Sequence, residues 1–146
     1  MAIVTIHHQS KVLENNPLGD PSLREINVYL PPDYDETLCY PSVYVLSGFT
    51  GRGRMMLNDA AFTPNLAERM DKLILDGRIR PMIAVLPDCF TRYGGSQYIN
   101  STATGNYEDY LTMEIVPFVD ENFSTVKDRD SRAVMGKSSG GYGSLM

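Results

Sequence analysis

Gly136-Lys137-Ser138-Ser139-Gly140 is the stretch that decides the fold, and the short apolar run Ala133-Val134-Met135 directly precedes it. The pentapeptide matches G-x-S-x-G, the motif in which a serine lies on a sharp turn between a strand and a helix with its hydroxyl exposed. Side chains two residues before or after that serine would collide with the strand or the helix, which accounts for the two glycines. The pattern predicts a strand, a turn and a helix, with Ser138 as the candidate nucleophile.

Two other interpretations of this stretch compete with the nucleophile turn. A loop rich in glycine and serine would carry the same five residues with no chemistry, and the strand-like run before the motif favours the turn over such a loop. Gly136-Lys137-Ser138 also resembles the end of the phosphate-binding motif G-x-x-x-x-G-K-[ST]. That motif requires a glycine five positions before Gly136, where this chain has Ser131. The phosphate-binding interpretation is therefore set aside.

The composition excludes several classes of protein. The chain has 146 residues, 42% hydrophobic and 21% charged, which is typical of one globular domain spanning residues 1–146. A net charge of −5 argues against nucleic acid and anionic membrane surfaces as partners. No run approaches the 18 apolar residues of a membrane span, and residues 1–8 lack the features of a signal peptide. We expect a cytoplasmic protein.

The two cysteines, Cys39 and Cys89, form no metal-binding pattern and could make only one disulfide. We expect both thiols to be reduced and buried. His7 and His8 are neighbours on a predicted strand, where adjacent side chains point to opposite faces, so the pair is unsuited to one metal ion. No cofactor or metal is expected.

The hydrophobic pattern predicts strands that alternate with helices. Residues 42–47 and 81–87 are almost entirely apolar, as expected of strands buried on both faces. Alternation of strands and helices implies an α/β fold, a mostly parallel sheet with helices on both faces. The predicted strands are 3–10, 24–30, 42–47, 81–87 and 132–135, and the predicted helices are 65–76 and 107–123.

Three residues mark the expected ends and irregularities of the two helices. Gly77 is placed as the C-terminal cap of the first helix. Asn106 can cap the start of the second helix with its side chain, and Pro117 should kink or split that helix.

Two loops follow the apolar strands and are candidates for a site. Residues 48–53 contain three glycines and could cradle phosphate, form an oxyanion hole or simply turn the chain. Asp88 ends the next strand, and Tyr93 and Tyr98 follow in a polar and aromatic loop. Because loops at the carboxyl ends of parallel strands line sites in open α/β sheets, these three residues are pocket candidates, although structural roles are favoured.

Several motifs together resemble the esterase D-type family of α/β-hydrolases. They are residues 24–34 (Arg-Glu-Ile-Asn-Val-Tyr-Leu-Pro-Pro-Asp-Tyr), residues 40–41 (Tyr-Pro), residues 43–51 (Val-Tyr-Val-Leu-Ser-Gly-Phe-Thr-Gly), residues 94–96 (Gly-Gly-Ser) with 98–101 (Tyr-Ile-Asn-Ser), residues 107–110 and the serine motif. The family includes S-formylglutathione hydrolases, enterochelin and feruloyl esterases, and mycolyltransferases. The resemblance extends over nearly the whole chain and implies an α/β-hydrolase-type fold, truncated after the nucleophile turn.

The resemblance also implies roles for three residues. Ser138 matches the nucleophile, the amide of Ser139 matches one donor of the oxyanion hole, and the amide of Phe49 matches the other. Two positions depart from the family pattern: Ser47 stands where histidine is usual before the glycine, and Lys137 stands where histidine is frequent in the serine motif. Neither change removes a backbone donor.

The acid and the histidine of a catalytic triad are missing from the expected place. The family order is serine, acid, histidine, and the eight residues after Ser138 include no Asp, Glu or His. The resemblance therefore implies the N-terminal half of a serine carboxylesterase acting on a small-molecule ester, inactive or nearly so by itself.

Other arrangements remain open at this point. The chain could be an acyltransferase of the same fold, a non-catalytic binding or assembly domain, or one half of a site completed by another polypeptide. An exposed sheet edge and an incomplete core also predict self-association, as a homo-oligomer or with the missing half.

Overall fold

A computed structural model describes residues 2–146. Its central sheet has five strands: β1 (Ala2–Gln9), β2 (Leu23–Leu30), β3 (Ser42–Leu46), β4 (Ile83–Pro87) and, near the end of the chain, β7 (Arg132–Gly136). Two short strands, β5 (Asn100–Ser101) and β6 (Gly105–Asn106), form a separate hairpin. All five predicted strands are present, with ends that differ by a few residues from the predicted ones.

The order of strands in the sheet is β1-β2-β4-β3-β7. Strand β3 lies between β4 and β7 and runs parallel to both, whereas β2 is antiparallel to both of its neighbours. Four of the five strands therefore point the same way, which confirms the predicted mostly parallel sheet. The carboxyl ends of β4, β3 and β7 meet at one edge of this sheet.

Helices cover both faces of the sheet, as predicted. The first, α1 (Leu66–Leu75), begins with a capping box of Asn65 and Glu68. The second helical stretch consists of α2 (Tyr107–Asp109), a π-helical segment (Tyr110–Ile115) and α3 (Val116–Asn122). Short 3₁₀ turns occupy Gly53–Leu57 and Arg129–Ser131, and α4 (Ser139–Leu145) follows β7.

Alternation along the strands divides the core into two layers. On one face, Tyr44, Leu46 and Val85 pack with side chains of the helical stretch that begins at Tyr107. On the other, Val43, Val45 and Ala84 pack against Ala67 and Met70 of α1. Buried apolar area is the main source of stability in such a layered domain. Among residues 2–146, no helix is long and apolar enough to cross a membrane.

The predicted helix ends are only partly correct. Gly77 follows α1 at φ +68°, which confirms the glycine cap. Asn106 precedes α2, but its side chain makes no capping bond; Asn100 Oδ1 instead accepts the Asp109 amide at 3.1 Å. The expected cap is therefore wrong, because a residue across the β5–β6 hairpin supplies the acceptor.

The second helical stretch is split near Pro117, as predicted. A π-helical segment with a Val116 N–H to Leu111 carbonyl bond comes immediately before this proline, which lies near the start of α3. Proline has no N–H for an internal helical bond, so a change of hydrogen-bond register is favourable there.

The cysteines differ from expectation at one position. Both are free; Cys89 is buried, as predicted, but Cys39 is exposed. Cys39 lies in the segment before β3, where the next residue, Tyr40, is buried in the core and Cys39 itself is exposed to solvent. The expectation of two buried thiols is therefore wrong for Cys39.

Candidate active site

Ser138 occupies a sharp turn between β7 and α4, as the motif predicts. Its backbone has φ +56° and ψ −119°, a conformation that residues with a side chain rarely adopt. Such strain costs on the order of 1–3 kcal/mol and persists only where the surroundings enforce it. Ser138 is exposed, whereas Ser139, the next residue, is buried. The turn thus presents one serine hydroxyl to solvent at the carboxyl edge of the sheet.

The two glycines of the motif permit close packing around Ser138. A Cβ atom at Gly136 would lie 2.3 Å from the carbonyl carbon of Gly140. A Cβ atom at Gly140 would lie 2.1 Å from the carbonyl oxygen of Leu46. Both distances are far inside van der Waals contact, so no other residue fits at either position. This confirms the steric reason inferred from the sequence for both glycines.

The loop after β3 lies directly beside the serine. A Cβ atom at Gly48 would be 3.7 Å from Ser138 Cβ and 3.5 Å from the carbonyl oxygen of Lys137. The loop is closed by a hydrogen bond from the Gly51 amide to the Gly48 carbonyl, 2.9 Å, with Thr50 at φ +65°. Phe49 is therefore carried at the tip of a tight turn next to Ser138.

The amides of Phe49 and Ser139 have no hydrogen-bond acceptor within residues 2–146. The Ser139 amide belongs to the first turn of α4, where N–H groups have no partner in the helix. The Phe49 amide lies in the tight turn described above. Unpaired N–H groups next to an exposed hydroxyl are what an oxyanion hole requires. The sequence prediction of these two donors is compatible with this geometry, and their role remains a prediction.

A loop after β4, residues 94–98, packs against both of these segments. The Gly94 carbonyl accepts the Thr50 amide at 2.8 Å, and the Phe49 ring lies over Gly94 and Gly95. Gln97 Oε1 accepts a hydrogen bond from Ser139 Oγ at 2.7 Å. Sequence reasoning did not find Gln97, because its contact with Ser139 occurs in a loop conformation, with Gln97 at φ +55°, that no sequence pattern reveals.

Tyr98 connects this loop to the end of β3. Its hydroxyl donates to the Ser47 carbonyl at 2.6 Å and lies 3.0 Å from Ser47 Oγ. Burial, with a smaller contribution from nearby Cys89, raises the pKa of the Tyr98 phenol to about 12, so it is protonated and able to donate at neutral pH. The sequence proposal that Tyr98 belongs to the site region is compatible with this position.

Asp88 and Tyr93 do not join the serine site. Asp88 is buried, accepts the Phe90 amide at 2.9 Å, and lies 3.2 Å from Arg52 and 4.0 Å from Arg24. It lines a cavity of about 430 Å³ whose walls do not include Ser138 or Phe49. Tyr93 is 65% exposed. The structural role that the sequence favoured for Asp88 agrees with this charged cluster.

Neither histidine of the chain lies near Ser138. His7 and His8 are both on β1, and β1 and β7 form opposite edges of the five-stranded sheet. Four strand spacings of about 4.8 Å separate these edges by roughly 19 Å. The His8 ring packs against Phe118, with centroids 4.8 Å apart, and its Nε2 is 3.4 Å from Glu114 Oε2. Both histidines are too far from Ser138 to accept its proton.

No side-chain cluster suggests a metal centre. Within residues 2–146, no group of three or more His, Cys, Asp or Glu residues is arranged to hold a metal ion.

Comparison with known proteins gives a family match and several similar proteins, some of which are named esterases. A family model described as Putative esterase matches residues 21–146. The chain is 30% identical over 134 residues to the uncharacterized protein YbbA of Bacillus subtilis, in an alignment that covers 84% of this chain and 49% of YbbA. It is 30% identical over 126 residues to an endo-1,4-beta-xylanase/feruloyl esterase of Xylanibacter ruminicola, covering 82% of this chain and 16% of that protein.

The fold is also similar to solved structures. A ferulic acid esterase superposes with a TM-score of 0.80 at 25% identity, covering 98% of this chain and 52% of that one. The chain thus spans about half, or less, of the length of the relatives it matches.

Proposed function

The chain belongs to the Putative esterase family of α/β-hydrolase-type proteins, and we propose that it supplies the nucleophile and the oxyanion hole of a serine carboxylesterase. The family resemblance predicted from the sequence is confirmed. One observation carries the proposal: the exposed Ser138 lies on a strained turn in contact with Gly48, and the amides of the adjoining residues Phe49 and Ser139 have no acceptor within residues 2–146.

In the proposed reaction, Ser138 Oγ attacks the carbonyl carbon of an ester while a base removes its proton. The carbonyl oxygen becomes an oxyanion, which accepts hydrogen bonds from the Phe49 and Ser139 amides. Each such donor typically contributes about 3 kcal/mol of transition-state stabilisation. Collapse of the tetrahedral intermediate breaks the ester bond, releases the alcohol and leaves an acyl group on Ser138.

Hydrolysis of the acyl-enzyme completes the cycle. Water attacks the acyl carbonyl, the base takes a proton from that water, and the carboxylic acid leaves as Ser138 regains its proton. Since His7 and His8 lie at the far edge of the sheet, the base is proposed to be a histidine that these 146 residues do not contain, oriented by an acid. Acyl transfer to an alcohol would use the same site with another acceptor.

The substrate class is proposed from the names of the matched proteins. Two of them are called feruloyl or ferulic acid esterases, so a ferulate ester is the first substrate to test, beside a simple aryl acetate.

Fluorophosphonate labelling of the complete gene product that carries these residues tests the proposal. The reagent phosphonylates an activated serine, and intact-mass spectrometry counts the adducts. We expect one adduct, located on the peptide that contains Ser138 and absent from Ser138→Ala. We also expect Ser138→Ala to lower kcat for ester hydrolysis by roughly 10⁴-fold or more.

Ser144→Ala is the matched control, because Ser144 lies on α4 and its hydroxyl bonds to the Gly140 carbonyl instead of facing the site. This control should label and turn over like the wild type. Undiminished turnover in Ser138→Ala would refute the nucleophile assignment. A wild-type gene product with neither an adduct nor turnover would support the non-catalytic binding or assembly role instead.

A further inference from the structure

Residues 97 and 98 contact the segments that carry both candidate oxyanion donors, and we propose that Gln97 and Tyr98 are positioning residues for this oxyanion hole. The inference rests on the proposed function and deepens it. It assigns no contact between these two residues and the substrate. Their effect is transmitted through Ser47, which precedes the Gly48–Phe49 turn, and through Ser139.

The Ser47–Tyr98 contact holds the first donor segment. Tyr98 donates its hydroxyl proton to the Ser47 carbonyl at 2.6 Å. The Tyr98 oxygen is then free to accept the proton of Ser47 Oγ, 3.0 Å away, so one pair of residues makes two complementary hydrogen bonds. Both side chains are buried, where a satisfied pair of hydroxyls is rigid and an unsatisfied one is costly. The orientation of the peptide that leads into Gly48 and Phe49 is thereby fixed.

Gln97 holds the second donor segment. Its Oε1 accepts the Ser139 hydroxyl proton at 2.7 Å, and the amide of Ser139 is the other candidate donor. The Tyr98 ring contacts the same helix: a Cβ atom at Gly143 would lie 2.6 Å from Tyr98 Cδ2. Adjacent residues of one loop thus contact both the end of β3 and α4, and they fix the spacing between the two amides.

The loop backbone supports this interpretation. Gln97 has φ +55° and Tyr98 has φ +60°, so two consecutive residues with side chains are in the left-handed region. This conformation is unfavourable for both residues and persists only when surrounding contacts enforce it. The contacts that enforce it are those to Ser47, Ser139 and Gly143.

The expected consequence is specific to the transition state. An oxyanion hole stabilises charge that develops during reaction, and it is effective when its donors are held in place beforehand. Loosening one donor should therefore lower kcat while KM changes little. The expected loss, on the order of tenfold, is smaller than the 10²–10³ that follows outright removal of a donor.

The test measures kcat, KM and thermal unfolding in the complete gene product for four proteins: wild type, Ser47→Ala, Tyr98→Phe and the double variant. Tyr98→Phe keeps the ring against Gly143 and loses both hydrogen bonds, whereas Ser47→Ala loses one. We expect kcat of Ser47→Ala to be lower than that of the wild type. We expect kcat of Tyr98→Phe to be lower still, about tenfold below the wild type. The double variant should have the same kcat as Tyr98→Phe. KM should stay within about twofold of the wild-type value.

Tyr93→Phe is the matched control, since Tyr93 directly precedes the 94–98 loop, is 65% exposed and makes no side-chain hydrogen bond in the described residues. It should behave as the wild type. If the wild type is active and Tyr98→Phe has the same kcat, the inference is overturned and the proposed function stands. A fall that appears in KM alone, or in strict proportion to lost thermal stability, would also overturn it. An inactive wild type would instead refute the proposed function.

Gln97→Ala provides a second, independent variant should Tyr98→Phe fold poorly. Because Gln97 is exposed and its truncation removes one hydrogen bond, the variant should be only slightly less stable, remain folded and still have a lower kcat. Unchanged kcat in folded Gln97→Ala would exclude Gln97 from the positioning role.

Discussion

A Cβ atom at Gly140 would lie 2.1 Å from the carbonyl oxygen of Leu46. Helix α4 can therefore approach strand β3 this closely only because Gly140 has no side chain. This approach brings the start of α4, with the Ser139 amide, next to the loop that carries Phe49. The packing of one glycine therefore permits the close approach of the two segments that carry the candidate oxyanion donors.

Gly140→Ala should destabilise the protein strongly. The added methyl group must displace backbone atoms, which costs about 1–3 kcal/mol or more of unfolding free energy. Urea denaturation measures the loss. Gly141→Ala is the neighbouring control: its Cβ would be 3.4 Å from the nearest atom, the Gly136 carbonyl oxygen, and alanine is favoured over glycine within a helix. Equal stability of the two variants would contradict the packing described.

Asp88→Asn should destabilise the fold by about 3 kcal/mol, because it removes the carboxylate partner of a buried arginine. Arg24 is only 4% exposed and lies 4.0 Å from Asp88, which also pairs with Arg52 at 3.2 Å. Asparagine has nearly the same shape and can still accept the Phe90 amide. The change therefore tests charge and leaves packing intact, and urea denaturation provides the measurement.

Asp76→Asn is the control for that prediction. Asp76 pairs with Lys72 at 2.8 Å on the surface, where water and salt screen the charges. Its loss should leave the urea midpoint unchanged. If Asp88→Asn were equally harmless, the buried charge cluster around Arg24 would not contribute to stability.

Glu114 should make stability dependent on pH in the acid range. Burial raises the pKa of its carboxyl group, but hydrogen bonds from Ser10 and the amides of Val12 and Lys11, together with His8, outweigh burial and lower it below the ordinary 4.5. A carboxylate whose pKa is lowered by folding stabilises the protein above its unfolded pKa. That contribution is lost as pH falls through the folded pKa.

Glu114→Gln tests the sign. The stability difference between wild type and variant should be fully present near pH 7 and should shrink as pH falls below about 4.5. Urea denaturation at a series of pH values measures it. A difference that is constant from pH 7 to pH 3 would show that the charge on Glu114 contributes nothing.

Strand β7 should make the isolated 146-residue chain self-associate. It forms one edge of the sheet, pairing with β3 alone, and Val134 and Met135 are 47% and 50% exposed. Unpaired strand edges that carry apolar residues promote association. Sedimentation velocity should show species that grow with concentration, and Val134→Lys should reduce them. A concentration-independent monomer would contradict this prediction.

The sequence was sufficient for features that depend on local sterics and periodicity. The collision that requires Gly136 lies within the motif, with the Gly140 backbone, and the motif itself marks Gly140, although the atoms that a Cβ there would meet belong to Leu46 and Ser47. Continuous apolar runs identify β3 and β4 because both of their faces are buried. The Gly77 cap follows from the same local reasoning. Motif order along the chain was enough to identify the family.

Only the tertiary structure decided how distant segments meet. That Tyr98 bonds to Ser47 and Gln97 to Ser139 depends on two left-handed residues, a conformation that tertiary contacts enforce and local preference opposes. The same holds for the cap of α2, which comes from Asn100 and not from the adjacent Asn106. Strand order, which separates His7 and His8 from Ser138 by the width of the sheet, arises from packing between elements far apart in the chain, and short-range sequence patterns carry no record of it.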